Sequence, residues 1–302
     1  GSADFHIAQT LSNIRGSMQY HPLLLTQKNS LKYRFNGVWQ TDGFLNMLHM
    51  HGIEFQNVYK ENVDILLNGF AGDLVLGGSF LNRRMFDKKI NTIMLSSHNI
   101  KQTIFNNWYN INKTDPYFLY NRVRRFTNGG LIIISKAVEP TMPFFDNELV
   151  EFIYSLPDKL RFKSYIYNKM LLHNFPQYFK SIPYQKTGCP ISYPYFVRFI
   201  SECKHVFIDK LKEYMMRHGL KSTLKRKYTC YDLWWRNGEN LKIIKRILDN
   251  KNALYKNYSE ILNPHLIDNI FDQKIETISS LLTFEVWLQQ IYNNKFHTFE
   301  NI

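Results

Sequence analysis

The fold is decided by the stretch ILLNGFAGDLVLGG at residues 65–78. Its apolar start and the glycines that follow predict a short buried strand that ends in a turn. Gly69 and Gly72 allow the backbone to approach a ligand closely, and Asp73 places a carboxylate beside them. Many strand-to-helix turns hold glycines for close packing alone. By itself, the stretch leaves both a nucleotide-binding turn and a packing turn open.

Upstream of residue 147 the chain keeps the character of this stretch. Short apolar runs alternate with glycine-containing turns, as where Gly129–Gly130 lead into the run Leu131–Ile134. Runs of this kind between glycine turns are typical of strands. We therefore expect an α/β part over residues 3–146.

Downstream of residue 146, apolar residues recur at helical spacing. Leu149, Phe152, Ile153 and Leu156 share one face of a predicted helix, for which Asp146 is a suitable N-cap. Similar patterns predict helices at 195–218, 241–248 and 275–292. The expected organisation is a single domain over residues 3–292, with a helical part at 147–292, a tail at 293–302 and a tag remnant at 1–2.

Composition limits the class of protein. The chain has 302 residues, of which 44% are hydrophobic, enough for a sizeable core. No run approaches the roughly 18 consecutive apolar residues of a membrane span, and the N-terminus lacks a secretion signal. Three widely spaced cysteines match neither a disulfide framework nor a zinc site. These features predict a cytoplasmic protein with reduced cysteines and no membrane partner.

Positive charge and histidine content raise two further possibilities. The net charge is +13, and a basic run at 221–227 lies close to Tyr228 and Trp234–Trp235. That mixture suits single-stranded nucleic acid, but a charge run is more often a solvated helix face, so nucleic acid is not the expected partner. The histidines, among them His49 and His51, show no metal-ligand spacing and are expected to be ordinary surface or core imidazoles.

Further motifs accompany the opening stretch in order: VEPTMPFFDNELVEF at 138–152, SLPDKL at 155–160 and PYQKTG at 183–188. Together they resemble the synthetase domain of asparagine synthetases and of their relatives, the β-lactam synthetases and lasso-peptide cyclases. The apolar, tryptophan-containing segment 281–288 is similar to the helix that closes that domain. The resemblance covers about residues 60–292. It implies an α/β fold, a truncated parallel-sheet domain of the ATP-pyrophosphatase type with a predominantly α-helical C-terminal half.

The resemblance also implies ATP-dependent formation of an amide. In that family ATP adenylates a carboxylate, pyrophosphate leaves, and ammonia or an amine attacks the acyl-adenylate. Asn68, Gly69 and Gly72 would contact the nucleotide, and Asp73 would hold the Mg²⁺ that bridges the phosphates. Lys186 would stabilise the charge that develops on pyrophosphate, although a lysine outside this context is usually just exposed. The implied partners are a small-molecule or peptide carboxylate, an amine donor, and a glutaminase or other partner subunit.

Several positions depart from the family pattern. Phe70 stands where asparagine synthetases have a Glu and β-lactam synthetases a Tyr, and phenylalanine cannot accept a proton. Glu139 occupies the position of a second acid, so it is a candidate general base, with a structural ion pair as the alternative. Leu74 and Thr141 replace a Glu and an Arg of the family. These differences argue against asparagine formation and favour a different carboxylate or amine.

The family's phosphate loop, Ser-Gly-Gly-x-Asp-Ser, has no match in residues 1–60, and the glutaminase domain is absent as well. Without that loop, pyrophosphate has no backbone cradle. We expect either a chain cut partway through the synthetase domain or a natural protein that has lost the loop. The first would be a ligase once upstream sequence supplies the loop. The alternative is a non-catalytic binding or regulatory protein that keeps the fold.

Overall fold

The computed structural model describes residues 3–15, 20–27, 29–78, 81, 119, 123–124, 127–217, 231–263 and 267–293. The regular elements are α1 (Ala3–Arg15), α2 (Asn29–Lys32), α3 (Arg34–Gln40), α4 (Gln56–Asn62), β1 (Ile65–Leu67), α5 (Gly72–Val75), α6 (Asn128–Ser135), β2 (Glu139–Thr141), α7 (Asn147–Ser155), α8 (Asp158–Arg161), α9 (Tyr165–Asn174), α10 (Pro176–Phe179), α11 (Tyr195–Arg217), α12 (Tyr231–Trp235), α13 (Gly238–Leu248) and α14 (Ile275–Asn293). Short 3-10 turns occur at Met47–His49, Ile53–Phe55, Pro143–Phe145, Phe162–Ser164, Leu254–Tyr258 and Ile270–Asp272.

Most of the described chain is helical, and its sheet consists of two parallel strands. Ile65 of β1 pairs with Glu139 of β2, and Leu67 pairs with Thr141. Pro140, in the middle of β2, has no N–H to donate, which is tolerated in a strand at the edge of a sheet. This arrangement is compatible with the α/β class expected from the sequence.

The strand at residues 65–67 is confirmed, but the expectation that it is buried is wrong. Ile65 is 57% exposed and Leu67 is 72% exposed. Side chains two residues apart lie on the same face of a strand, so both project from one side of the sheet. The face that carries both side chains is therefore mostly exposed.

The apolar run Leu131–Ile134 is helical rather than extended. It forms half of α6, in which Ile133 and Ile134 are buried while Ile132 is exposed. A short apolar run does not distinguish a strand from a buried helix, and here the helix places two neighbouring isoleucines in the core. The second strand is formed instead by Glu139–Thr141.

The helices expected in the second half are confirmed. Asp146 caps α7, since its Oδ1 accepts a hydrogen bond from the Leu149 N–H at 3.0 Å. The helices at 195–217, 238–248 and 275–293 match the apolar periodicity to within three residues at each end. Within the described residues, no helix combines the length and apolarity that a membrane crossing requires.

Contacts divide the described chain into two compact units. The smaller one draws on the described residues within 1–24 and 164–230, and the larger one on those within 25–163 and 231–302. The boundaries differ from the change in pattern near residue 147, and the single domain remains a prediction. The basic run at 221–227 lies outside the described residues.

The core of the larger unit surrounds α14. Leu282 and Val286 of this helix belong to the same buried cluster as Phe35 of α3. Polar contacts fix the packing as well: Gln290 Nε2 donates to the Phe35 carbonyl oxygen at 2.9 Å, and the Met47 N–H donates to Thr283 Oγ1 at 3.0 Å. Helix α14 therefore holds α3 and the segment that follows it in place.

Candidate functional site

The turn after β1 is shaped by Asn68. Its N–H donates to the Thr141 carbonyl oxygen at 2.8 Å, which extends the pairing of the two strands. Its Oδ1 accepts from the Phe70 N–H at 3.0 Å, the local bond by which asparagine favours turns. Ala71 then takes a left-handed conformation, with φ of 62°. Left-handed residues other than glycine are uncommon and cluster at ligand sites and switches.

The two glycines of the turn have different surroundings. A Cβ added at Gly72 would lie 2.9 Å from Cε2 of Phe144, so this glycine is required for close packing. A Cβ added at Gly69 would meet its nearest neighbour, the same ring, only at 4.0 Å. Gly69 therefore leaves space beside the backbone, whereas Gly72 fits the packing alternative that the sequence left open.

A cavity of about 270 Å³ lies at the carboxyl end of β1. The turn contributes Gly69, Phe70, Ala71 and Asp73 to its wall. In parallel sheets, ligands bind in crevices at the carboxyl ends of the strands. The remaining lining is Leu45, His49, His51, Leu74, Val123, Thr127 and Gly130.

Two histidines that the sequence did not single out line this cavity. The ring centroids of His49 and His51 are 6.2 Å apart. Burial lowers the pKa of His49, an effect that Arg34 reinforces and Glu276 opposes. Burial, Arg34 and His49 together lower the pKa of His51 to about 4. Both imidazoles are therefore neutral at pH 7 and can accept a hydrogen bond or a proton. In the sequence they are two residues apart, a spacing that does not indicate a functional site.

A buried ion pair stands behind the histidines. Arg34 is fully buried, and its Nη2 lies 2.7 Å from Glu54 Oε1 and 3.1 Å from the Tyr231 hydroxyl oxygen. Burial raises the pKa of Glu54 although Arg34 opposes that shift. Arg34 Nη1 also donates to the Met47 carbonyl oxygen at 2.5 Å, and the Tyr231 ring lies 6.3 Å from that of His51. This network anchors the segment that carries both histidines.

The predicted site residues are only partly brought together. Asn68, Gly69, Gly72 and Asp73 lie on one turn, and of these Gly69 and Asp73 line the cavity. Glu139 is paired with Ile65 at the start of the sheet, whereas the turn follows Leu67 at the other end. Among the described residues that line the cavity, Glu139 is absent.

Lys186 belongs to the smaller unit. It lies in a tight turn closed by a hydrogen bond from the Tyr184 N–H to the Cys189 carbonyl oxygen at 3.0 Å. Its Nζ is 3.2 Å from Glu202 Oε1 of α11. The turn also fits closely against that helix, because a Cβ at Gly188 would overlap the ring of His205. The role of Lys186 at a nucleotide site remains a prediction.

The cavity fits part of a magnesium–nucleotide complex. Mg²⁺ is usually held by one or two carboxylates plus substrate phosphates and water, and Asp73 is the carboxylate in this wall. Within the described residues, no group of three or more His, Cys, Asp or Glu side chains is placed to hold a metal on its own. Pockets for whole drug-sized ligands start at about 300 Å³, so this cavity accommodates only part of ATP. Its described lining contains no Lys or Arg, so phosphate charge needs Mg²⁺ or a cation from elsewhere.

Comparison with known proteins adds no relative. No family model matches the chain, and searches among curated proteins and among solved structures find no match. The site itself and the order of the sequence motifs are therefore the indications of function.

Proposed function

We propose that the chain binds Mg²⁺–ATP at the cavity beside β1 and is a divergent, asparagine-synthetase-like ligase that forms amides. The observation that carries the proposal is the position of Asp73: it follows the carboxyl end of a parallel strand and lines a cavity there. Gly69 leaves the adjacent backbone accessible. The motifs around Glu139 and Lys186, in the order found in that family, supply the reaction class.

Each residue of the turn has a distinct task in this proposal. Asp73 would hold Mg²⁺, and the bound cation would supply the positive charge that phosphates need, since the described lining contains no Lys or Arg. Asn68 holds the turn in shape through its bond to the Phe70 N–H. Gly72 provides the close contact with Phe144 that fixes the start of α5. The bound nucleotide would activate a carboxylate for attack by an amine.

Proton transfer from the amine needs an acceptor, and Phe70 cannot serve. Among the described lining residues, His49 and His51 are neutral bases that face the same cavity. His49 suits the role better, because a pKa of about 4 makes His51 a weak base. Glu139 is the acceptor that the resemblance suggests, but it does not reach the described lining. The carboxylate, the amine and a nitrogen-supplying partner subunit belong to the same proposal.

Binding is tested by calorimetry with ATP, with and without Mg²⁺. Asp73→Asn should weaken Mg²⁺-dependent binding by about tenfold or more, because the amide is a poorer ligand for a hard cation than the carboxylate. Asp64→Asn is the matched control: this aspartate is exposed, precedes β1 and is not part of the lining. Equal affinities of the two variants, or no Mg²⁺-dependent binding by the wild type, would disprove the proposed site.

A second candidate function is binding without catalysis. Phe70 favours it, because an apolar ring lines the cavity where the family carries a proton acceptor. Exchange of labelled pyrophosphate into ATP, measured with a panel of carboxylates, separates the two. Mg²⁺–ATP binding that depends on Asp73, with exchange for at least one carboxylate, supports the ligase. Binding without exchange for any carboxylate supports the non-catalytic protein.

A further inference from the structure

A second cavity, of about 240 Å³, lies in the larger unit between α12, α13 and the start of α14. Its wall is mainly apolar and includes Leu241, Ile244, Phe271, Ile275 and Ile278. None of these side chains lines the cavity beside β1. The nucleotide proposal therefore leaves this second cavity without a role.

Arg236 fixes one edge of this second cavity. Its Nε lies 2.6 Å from Asp232 Oδ1, and its Nη1 donates to the Phe271 carbonyl oxygen at 2.7 Å. Its Nη2 donates to the Gln273 carbonyl oxygen. These bonds hold the segment that carries Phe271 against α12. The charge of Arg236 is balanced by Asp232, so Arg236 mainly builds the wall.

Lys245 supplies a positive charge at the rim. It lines the cavity from α13, and its Nζ lies 5.4 Å from the centroid of the Phe271 ring. The residue as a whole is exposed, and among the ion pairs of the described residues none involves Lys245. A lysine with its stem along an apolar wall and its ammonium at the rim is arranged to bind an anionic head group.

We propose that this second cavity binds a small carboxylate with an apolar body, such as a medium-chain fatty acid. The body packs between Leu241, Ile244 and Ile278, where it is removed from water. The carboxylate lies at the rim beside the Lys245 ammonium, which forms a charge-assisted hydrogen bond with it. Lys245, a cation without a described counter-ion, matches the single negative charge of the carboxylate. The inference is independent of the nucleotide site.

Calorimetry of the full chain with octanoate tests this proposal. The wild type should show saturable binding of one octanoate, and Lys245→Met should raise the Kd by about tenfold because the charge-assisted bond is lost. Lys242→Met is the matched control, since Lys242 is on the same helix but outside the lining and pairs with the exposed Glu239. It should leave the Kd within about twofold, as expected for an exposed charge.

Two further measurements test the position and the charge preference. Leu241→Trp fills the cavity from a half-buried position and should abolish octanoate binding while the circular dichroism spectrum stays unchanged. Octylammonium has the same body with the opposite charge and should not bind to the wild type. The proposal is overturned if octanoate does not bind saturably, if both lysine variants lose affinity equally, or if octylammonium binds as well as octanoate. Retained binding in folded Leu241→Trp would overturn it as well.

Discussion

The helical core around α14 and the two-stranded sheet bury their apolar side chains very differently. Leu282 of α14 is fully buried, whereas Leu67 of β1 is 72% exposed. The core is also tied by side-chain hydrogen bonds between distant segments, such as that from Gln290 to the Phe35 carbonyl. The sheet, in contrast, consists of three-residue strands.

This difference separates the stabilising core from the proposed binding site. The proposed nucleotide turn follows the thin sheet, while the histidines that face the same cavity are anchored from the core by Arg34. Substitutions in the core should therefore unfold the larger unit, and substitutions on the sheet should act mainly on binding.

The largest effect is expected at Arg34. Arg34→Met leaves the Glu54 carboxylate buried without its partner, and we expect a loss of about 3–5 kcal/mol in the free energy of unfolding. Urea denaturation followed by circular dichroism measures it. The double variant Arg34→Met/Glu54→Leu should recover most of the loss, because it removes both charges. A loss below about 1 kcal/mol in Arg34→Met would show that the network contributes little.

The same substitution in both regions gives the most direct comparison. Leu282→Ala creates a cavity in the core and should cost about 2–5 kcal/mol of unfolding free energy. Leu67→Ala removes a side chain that is mostly exposed and should change stability by about 0.5 kcal/mol or less. Both are measured by urea denaturation under identical conditions. Equal losses would mean that the sheet face is covered in solution and that the comparison fails.

Local interactions were predictable from the sequence, whereas interactions between distant segments were not. Helix α7 was predictable because its cap, from Asp146 to the Leu149 N–H, spans three residues. The strand at 65–67 was predictable because its run ends at a glycine turn. The helical state of Leu131–Ile134 was missed, since a four-residue apolar run suits either structure.

The candidate site was predictable only for its turn. The histidines join it through the fold: Arg34 contacts Tyr231, 197 positions further along the chain, and both help to place His51 beside the turn. Periodicity and motif spacing carry no information on such pairs. The exposure of β1 was missed for a similar reason, because the burial of a strand depends on which distant segments pack against its faces.

The two glycines of the turn are expected to respond differently to one added methyl group. Gly72→Ala brings a Cβ within 2.9 Å of the Phe144 ring and should cost about 1–3 kcal/mol by overpacking. Gly69→Ala meets that ring only at 4.0 Å, so it should leave stability nearly unchanged and weaken Mg²⁺–ATP binding instead. Thermal unfolding and calorimetry separate the two effects. Recovery of stability in Gly72→Ala/Phe144→Leu would confirm the steric cause. An unstable Gly69→Ala variant would contradict the expectation that Gly69 has space beside it.

The last prediction concerns the pH dependence of stability. Because the folded-state pKa of His51 is about 4, below the ordinary 6.5, the unfolded chain takes up a proton between these values that the folded chain does not. Stability should therefore fall as the pH drops from 6.5 towards 4. His51→Gln should make this decline shallower, while Glu54, whose raised pKa acts in the opposite direction, is present in both proteins.

Unfolding free energies at a series of pH values give the difference between the wild type and His51→Gln, and above about pH 7.5 the two curves should run parallel. Parallel curves down to pH 4 would show that the core does not hold His51 neutral. The expectation that the core sets the protonation of this cavity histidine would then be wrong.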